Sequence, residues 1–260
     1  MVQYYFLATI LPDITLGVKP ELEKEEFLNL LKDNLSIGDM EKVVAIRWLY
    51  DIYNLRAFQL GLPLDSWGNL DEEGLKETLL IGKEALPKFM SKALESDEYD
   101  KFDLKNFPLL IDIYFKQVTR EYPGFVSLYT NFERSLRLML TAFRAKKLGK
   151  ELTKEFQFKD PSEEFIIQLL SYQDAKSFEP PPEYEDLKPI LNATYSSPKE
   201  FQKALLEYRF IHLDSLIGLN VFSSDRILFY FIKYIIADKW AKLDKEQGLQ
   251  IVESITGNIV

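Results

Sequence analysis

The residues able to do chemistry are few, and each is read against its neighbours. His212 is the sole histidine and stands in Tyr208-Arg209-Phe210-Ile211-His212-Leu213-Asp214, one helical turn before Ser215. A serine–histidine pair can make a nucleophile, but here no third group orients the imidazole, and no G-x-S-x-G elbow occurs in the chain. The surrounding rings and aliphatics suit a hydrogen-bonded structural histidine better than a base. The densest acidic run is Asp97-Glu98-Tyr99-Asp100 with Asp103. Carboxylates one helical turn apart can share a divalent ion, and all-helical prenyl-transfer enzymes hold magnesium this way. That use needs a second, facing cluster, and the flanking Ser96, Lys101 and Lys105 favour a solvated loop. Gly82-Lys83 lacks the earlier glycine and the Ser/Thr of a phosphate-cradling loop, and no G-x-G-x-x-G is present. Asn192-Ala193-Thr194 matches a glycosylation acceptor, a common accident of composition. No catalytic, cofactor or metal residue is therefore assigned.

The elements carrying these residues are helical. Apolar residues recur at spacings of three and four over long windows, while strand alternation is scarce. A helix over Asp39 to Leu60, with Asp39 as its N-cap, stops at Gly61 and Pro63. A second over Phe125 to Leu148 carries Tyr129, Phe132, Leu136, Leu140 and Phe143 on one stripe, with Arg134, Arg137, Arg144 and Lys147 elsewhere, and ends at Gly149. A third begins at Ser223-Ser224-Asp225 and runs to Trp240, apolar nearly all round, which predicts deep burial. Shorter helices are expected at Glu21 to Leu31, Asp71 to Ile81, Pro108 to Val118, Pro161 to Gln173, Pro198 to Tyr208 and Asp244 to Ile255. Pro180 to Pro182 reads as a rigid extended connector in preference to a ligand for a proline-reading domain. Tyr4-Tyr5-Phe6-Leu7, Tyr114-Phe115 and Phe229-Tyr230-Phe231 read as core before binding platforms.

Composition narrows the classes. The 260 residues are 47% hydrophobic and 14% aromatic, ample for a sizeable core. With no cysteine, disulfides, thiolate zinc and cysteine nucleophiles are excluded, and a reducing compartment is the expected setting. One histidine leaves no multi-imidazole metal site within a single chain. Against 41 acidic residues stand 32 Lys and Arg, a net charge of -9, so nucleic acid and anionic lipid are poor partners. The longest uncharged stretch, Met1 to Pro12, is shorter than the ~18 apolar residues a membrane span needs and lacks a signal peptide's basic start.

Two partial repeats stand out. Arg56-Ala57-Phe58-Gln59-Leu60-Gly61 and Arg144-Ala145-Lys146-Lys147-Leu148-Gly149 share R-A-x-x-L-G, each closing a long helix. Leu70-Asp71-Glu72-Glu73-Gly74-Leu75 and Leu243-Asp244-Lys245-Glu246-Gln247-Gly248-Leu249 share a leucine, a capping Asp and a glycine-leucine pair. Long helix, glycine stop and capped short helix come round near 40 to 80 and 225 to 255, with a diverged copy near 125 to 158. The alternative is that unrelated helix ends converge on Gly and Asp for reasons of capping alone. The expectation is an all-α chain of three similar helical modules, 1-95, 96-177 and 178-260, packed into a funnel-like or solenoid-like bundle.

Tyr4-Tyr5-Phe6-Leu7-Ala8-Thr9, the Glu25-Glu26-Phe27-Leu28-Asn29-Leu30-Leu31 helix and the R-A-x-x-L-G helix ends together resemble the C/d family of central-stalk proteins in V-type and archaeal-type ATP synthases. The chain is most similar to the short bacterial branch of that family, encoded beside V-type ATPase subunits in chlamydiae and related bacteria. The resemblance implies a non-catalytic socket between the membrane rotor ring and the central stalk. It would be cytoplasmic, peripheral to the membrane and without cofactor. Arg56 and Arg144 map onto the recurrent helix ends, where an arginine would brace neighbouring modules. The chain is shorter than typical members and its middle copy is ragged, which leaves the threefold layout open. Two alternatives explain the same helices: a helical-repeat adaptor of another complex, and an all-helical enzyme using Asp97, Glu98 or Asp100 with magnesium.

Overall fold

The two long helices ending in R-A-x-x-L-G stop by the same hydrogen bonds. Gly61 and Gly149 both take φ of +65°, the left-handed conformation that glycine adopts without steric cost. Leu62 and Lys150 then donate back to the carbonyls of Ala57 and Ala145 at 2.8 and 2.9 Å, while the glycine N–H groups reach Phe58 and Lys146. These are Schellman stops, and the shared motif is the sequence such a stop requires.

The computed structural model describes residues 2–82, 86–88 and 107–243. Among them are eleven α-helices and no strand. They are α1 (Tyr5–Ile10), α2 (Lys24–Asn34), α3 (Ile37–Gln59), α4 (Glu72–Ile81), α5 (Phe107–Glu121) and α6 (Phe125–Leu148). These are followed by α7 (Leu152–Glu155), α8 (Glu164–Ser171), α9 (Leu187–Thr194), α10 (Pro198–Leu216) and α11 (Ser224–Ala241). No helix among the described residues is long and apolar enough to cross a membrane.

Most expected helices lie within a few residues of their forecast spans, and the differences have local causes. The N-cap of α3 is Ser36, whose hydroxyl accepts from the Asp39 N–H at 3.2 Å. Asp39 sits in the first turn instead, where its carboxylate accepts from the Tyr4 and Ser36 hydroxyls at 2.5 and 3.0 Å. Ser223 caps α11 and Asp71 caps α4 as expected. Helix α10 continues two turns past Tyr208, so His212 and Ser215 lie within it. Pro180 and Pro181 are buried and Pro181 is extended, but Pro182 opens a 3-10 turn at Pro182–Tyr184, so the extended stretch ends one residue short of its forecast. The forecast helix at 244–255 and the acidic run at 97–103 lie outside the described residues.

Helix α6 is the axis. It packs against α5, α7, α8, α10 and α11 and buries more than half of its own residues. Its first turns, Phe125, Val126 and Tyr129, enter one apolar core with residues of α1, α2, α3, α5 and α11. Its later turns, Phe132 to Ala145, enter a second core with α7, α8, α9 and the start of α10. The first core draws on all three of the stretches 1-95, 96-177 and 178-260; the second draws on the latter two.

Polar side chains buried in α3 hold the next loop. Asp51 accepts from the Leu70 N–H at 2.9 Å, and Asn54 both donates to and accepts from the Asp65 backbone at 2.8 and 2.7 Å. Trp67, held by that loop in the first core, donates its indole N–H to Asp238 of α11 at 2.9 Å. Between α5 and α6, buried Asp112 pairs with Lys116, Arg134 and Lys159 at 2.9 to 3.2 Å, and Glu163 pairs with the first two. Burial alone would raise the Asp112 pKa, yet these cations, Lys159 foremost, hold it below the ordinary aspartate value.

Candidate functional site

Two features depart from an ordinary helical interior: an apolar face at one end and a charged waist between the two cores.

The face is built on α1. Leu7 and, at the N-cap, Tyr4 point inward and are buried, whereas Tyr5 and Phe6 stand 60% and 53% exposed. The N-terminal aromatic group is thus half core and half surface, a correction to its reading as core. The Tyr4 N–H donates to the Phe222 carbonyl at 2.8 Å, and the Tyr5 ring lies 4.6 Å from that of Phe222. These contacts bring α1 against the loop before α11, where Leu219 is fully exposed and Val221 about half so. Ile10 at the end of α1 and Val2 ahead of it are also about half exposed. The frame beneath is fixed: Tyr4 is tied to Asp39, and Tyr230 of α11 donates to the Pro12 carbonyl at 2.8 Å. Exposed apolar side chains gathered where α1 meets the loop before α11, on a rigid base, mark an interaction surface.

The waist lies where α3, α6, α10 and α11 meet around a cleft of about 320 Å³. Glu133, 2% exposed, lies at its base. Arg209 of α10 grips both carboxylate oxygens at 2.7 and 3.1 Å, and Arg137, one turn along α6, approaches at 2.7 Å. Arg137 also donates to the Tyr53 hydroxyl of α3. Burial would raise the Glu133 pKa, but the guanidinium groups of Arg209 and Arg137 outweigh it and hold the carboxyl below the ordinary glutamate value. With both oxygens engaged, Glu133 is a structural anion and a poor base. Lys239 of α11 pairs with Asp65 and lies over the Tyr50 ring at 4.3 Å; burial, the larger effect, lowers its pKa, and Asp65 only partly restores it.

The sequence-derived candidates fall apart from one another. Arg56 is exposed and packs over the Phe107 ring at 5.2 Å, joining the end of α3 to the start of α5. Arg144 is exposed at the rim of the waist cleft. The His212 ring stacks on Phe132 at 3.9 Å, with Tyr208 and Tyr184 further out, and burial lowers its pKa against the pull of Asp186. Ser215 donates its hydroxyl proton to the His212 carbonyl and not to the imidazole. Among the described residues no group of three or more His, Asp and Glu is placed to hold a metal.

Sequence reasoning missed Glu133 and Arg209. A single glutamate beside Arg134 looks like solvent-face charge, and its partner is 76 positions away. The available signal was the Glu133–Arg137 spacing of four between Tyr129, Leu136 and Leu140, which places the pair on the buried face.

Three chlamydial proteins align along nearly the whole chain. An uncharacterized protein of Chlamydia pneumoniae is 25% identical over 260 residues, covering 98% of each chain. Uncharacterized proteins of Chlamydia muridarum and Chlamydia trachomatis are each 24% identical, covering 97% and 96%. No solved structure matches. The model of the family described as "Protein of unknown function (DUF2764)" matches residues 1–259, and the chain belongs to that family.

Proposed function

We propose that the chain is a non-catalytic central-stalk adaptor of a V-type ATPase or ATP synthase, coupling the membrane rotor ring to the stalk. The observation that carries this reading is the apolar face of Tyr5, Phe6, Leu219 and Val221 on a clamped frame. An adaptor under torque needs a stiff body and separate docking surfaces. The stiffness is supported by α6, which runs unbroken through both cores, and by the ion pairs that bind α6 to α10 and α5. The resemblance of the N-terminal residues and helix ends to the C/d family of central-stalk proteins supplies the identity of the partners. The threefold funnel-like or solenoid-like layout belongs to the same proposal, with the matching stops at Gly61 and Gly149 as its support. So do the cytoplasmic setting and the peripheral attachment to a membrane complex. An adaptor of a different complex would use the same face.

Phe6→Asp with Leu219→Asp tests it. Both side chains are exposed, so the thermal midpoint should stay within about 2 °C, since exposed substitutions move stability by roughly 0.5 kcal/mol or less. ATPase subunits recovered with the tagged wild type from its native membranes should be lost with the variant. Recovery unchanged by the charges would overturn the role given to this face.

A further inference from the structure

The waist cleft holds more positive charge than its structural task uses. Arg137, Arg144, Arg209 and Lys239 line it, with Glu133 the only lining carboxylate among the described residues and Asp65 pairing Lys239 from outside. Among the described residues, four cations against two carboxylates leave two positive charges uncompensated, in a chain whose net charge is -9. The donors are also not all spent. Among the described residues, the Arg144 guanidinium makes no hydrogen bond or ion pair, and Arg137 Nε, buried and 2.7 Å from the Glu133 carboxylate, forms an ion pair but no hydrogen bond. The Tyr129 ring is buried, and its hydroxyl, which has no hydrogen-bond partner among the described residues, opens into the cleft. A buried guanidinium N–H without a hydrogen-bond partner is costly to maintain unless something accepts from it, and the Arg144 guanidinium at the rim and the Tyr129 hydroxyl stand open to the same acceptor.

We infer that the cleft between α3, α6, α10 and α11 binds a small phosphate-bearing anion. Guanidinium forks match the oxygens of a phosphate two at a time, and the apolar side chains of Leu49, Leu205 and Ile232 around them strengthen the attraction by excluding water. The volume of about 320 Å³ is at the small end of ligand sites, roughly 300 to 1,000 Å³. That favours phosphate, diphosphate or a compact phosphate monoester over a dinucleotide. The ligand would bridge Arg144 of α6 to the half-buried Arg137 and the Tyr129 hydroxyl, closing the waist from its open side.

The test is calorimetric titration of the full chain with inorganic phosphate and, separately, pyrophosphate at constant ionic strength. Saturable binding of either supports the inference, and the tighter of the two fixes the ligand class. Arg144→Ala removes a side chain without a protein partner and should weaken binding about tenfold or more, the worth of one charge-assisted contact. Tyr129→Phe should weaken it several-fold with an unchanged melting temperature in the absence of anion. Lys154→Ala, an exposed cation on α7 outside the cleft, should leave affinity unchanged. No saturation by either anion, or equal weakening by Lys154→Ala and Arg144→Ala, would overturn it.

Discussion

Replacing Glu133 by glutamine keeps the shape of the side chain and removes the charge on which the waist is built. Glu133 is almost fully buried and faces Arg209 bidentately and Arg137 at 2.7 Å. The amide offers one acceptor where the carboxylate offered two, and two guanidinium groups lose their counter-charge. Breaking a buried pair from one side costs about 3–5 kcal/mol. Arg137 is about 30% exposed along the cleft, so water recovers part of its loss and the lower end applies. At about 2–4 °C per kcal/mol for a chain of this size class, Glu133→Gln should lower the midpoint by roughly 6–12 °C. Scanning calorimetry and urea unfolding measure it. The pH dependence gives a second reading, because the folded Glu133 pKa is depressed. Its stabilisation is complete above the ordinary glutamate value of about 4.3 and is lost as pH falls through the lower folded value. The gap between wild type and variant should therefore close in acid. Glu133→Leu with Arg209→Met replaces one pair by apolar groups and should recover more than half of the loss. A cost below about 1 kcal/mol for Glu133→Gln at neutral pH would refute the argument.

Close packing and the single imidazole each give a further prediction. A Cβ on Gly68 would lie 2.6 Å from Asp51 Oδ1 and 2.7 Å from Asn54 Nδ2, both of which hold the 65–70 loop, so Gly68→Ala should cost about 1–3 kcal/mol in urea unfolding. A loss under about 0.5 kcal/mol would show that the loop relaxes freely. Proton NMR of His212 should titrate below the ordinary value of about 6.5, because burial disfavours its charged form more than Asp186 favours it. Between the two pKa values the unfolded chain binds more protons, so stability falls as pH drops through 6.5 towards the folded value, and His212→Phe should flatten that slope. Titration at or above 6.5 would contradict the stacked arrangement.

How much of this was legible depended on whether the cause is local. Helix α6 matched its forecast ends because Gly149 must turn left-handed, and α4 because Asp71 caps it. The buried stripe of α6, Tyr129, Phe132, Leu136, Leu140 and Phe143, followed from spacing alone. The α3 cap was misplaced by three residues because Ser36 and Asp39 are both good caps, and only Tyr4, 35 positions away, decides that Asp39 turns inward. The same distance problem hid the waist, where Glu133, Arg209 and Lys239 come together through tertiary packing. The outward turn of Tyr5 and Phe6 was likewise invisible, since a one-and-a-half-turn helix shows too little periodicity to separate its faces.

The stalk reading meets its most direct test in the host. The tagged full chain is solubilised with its membranes in mild detergent, and the proteins that co-purify are quantified by mass spectrometry. Catalytic-head, stalk and ring subunits of a V-type ATPase in stoichiometric amounts are the predicted result. A different complex in stoichiometric amounts, or no partner at all, would contradict it.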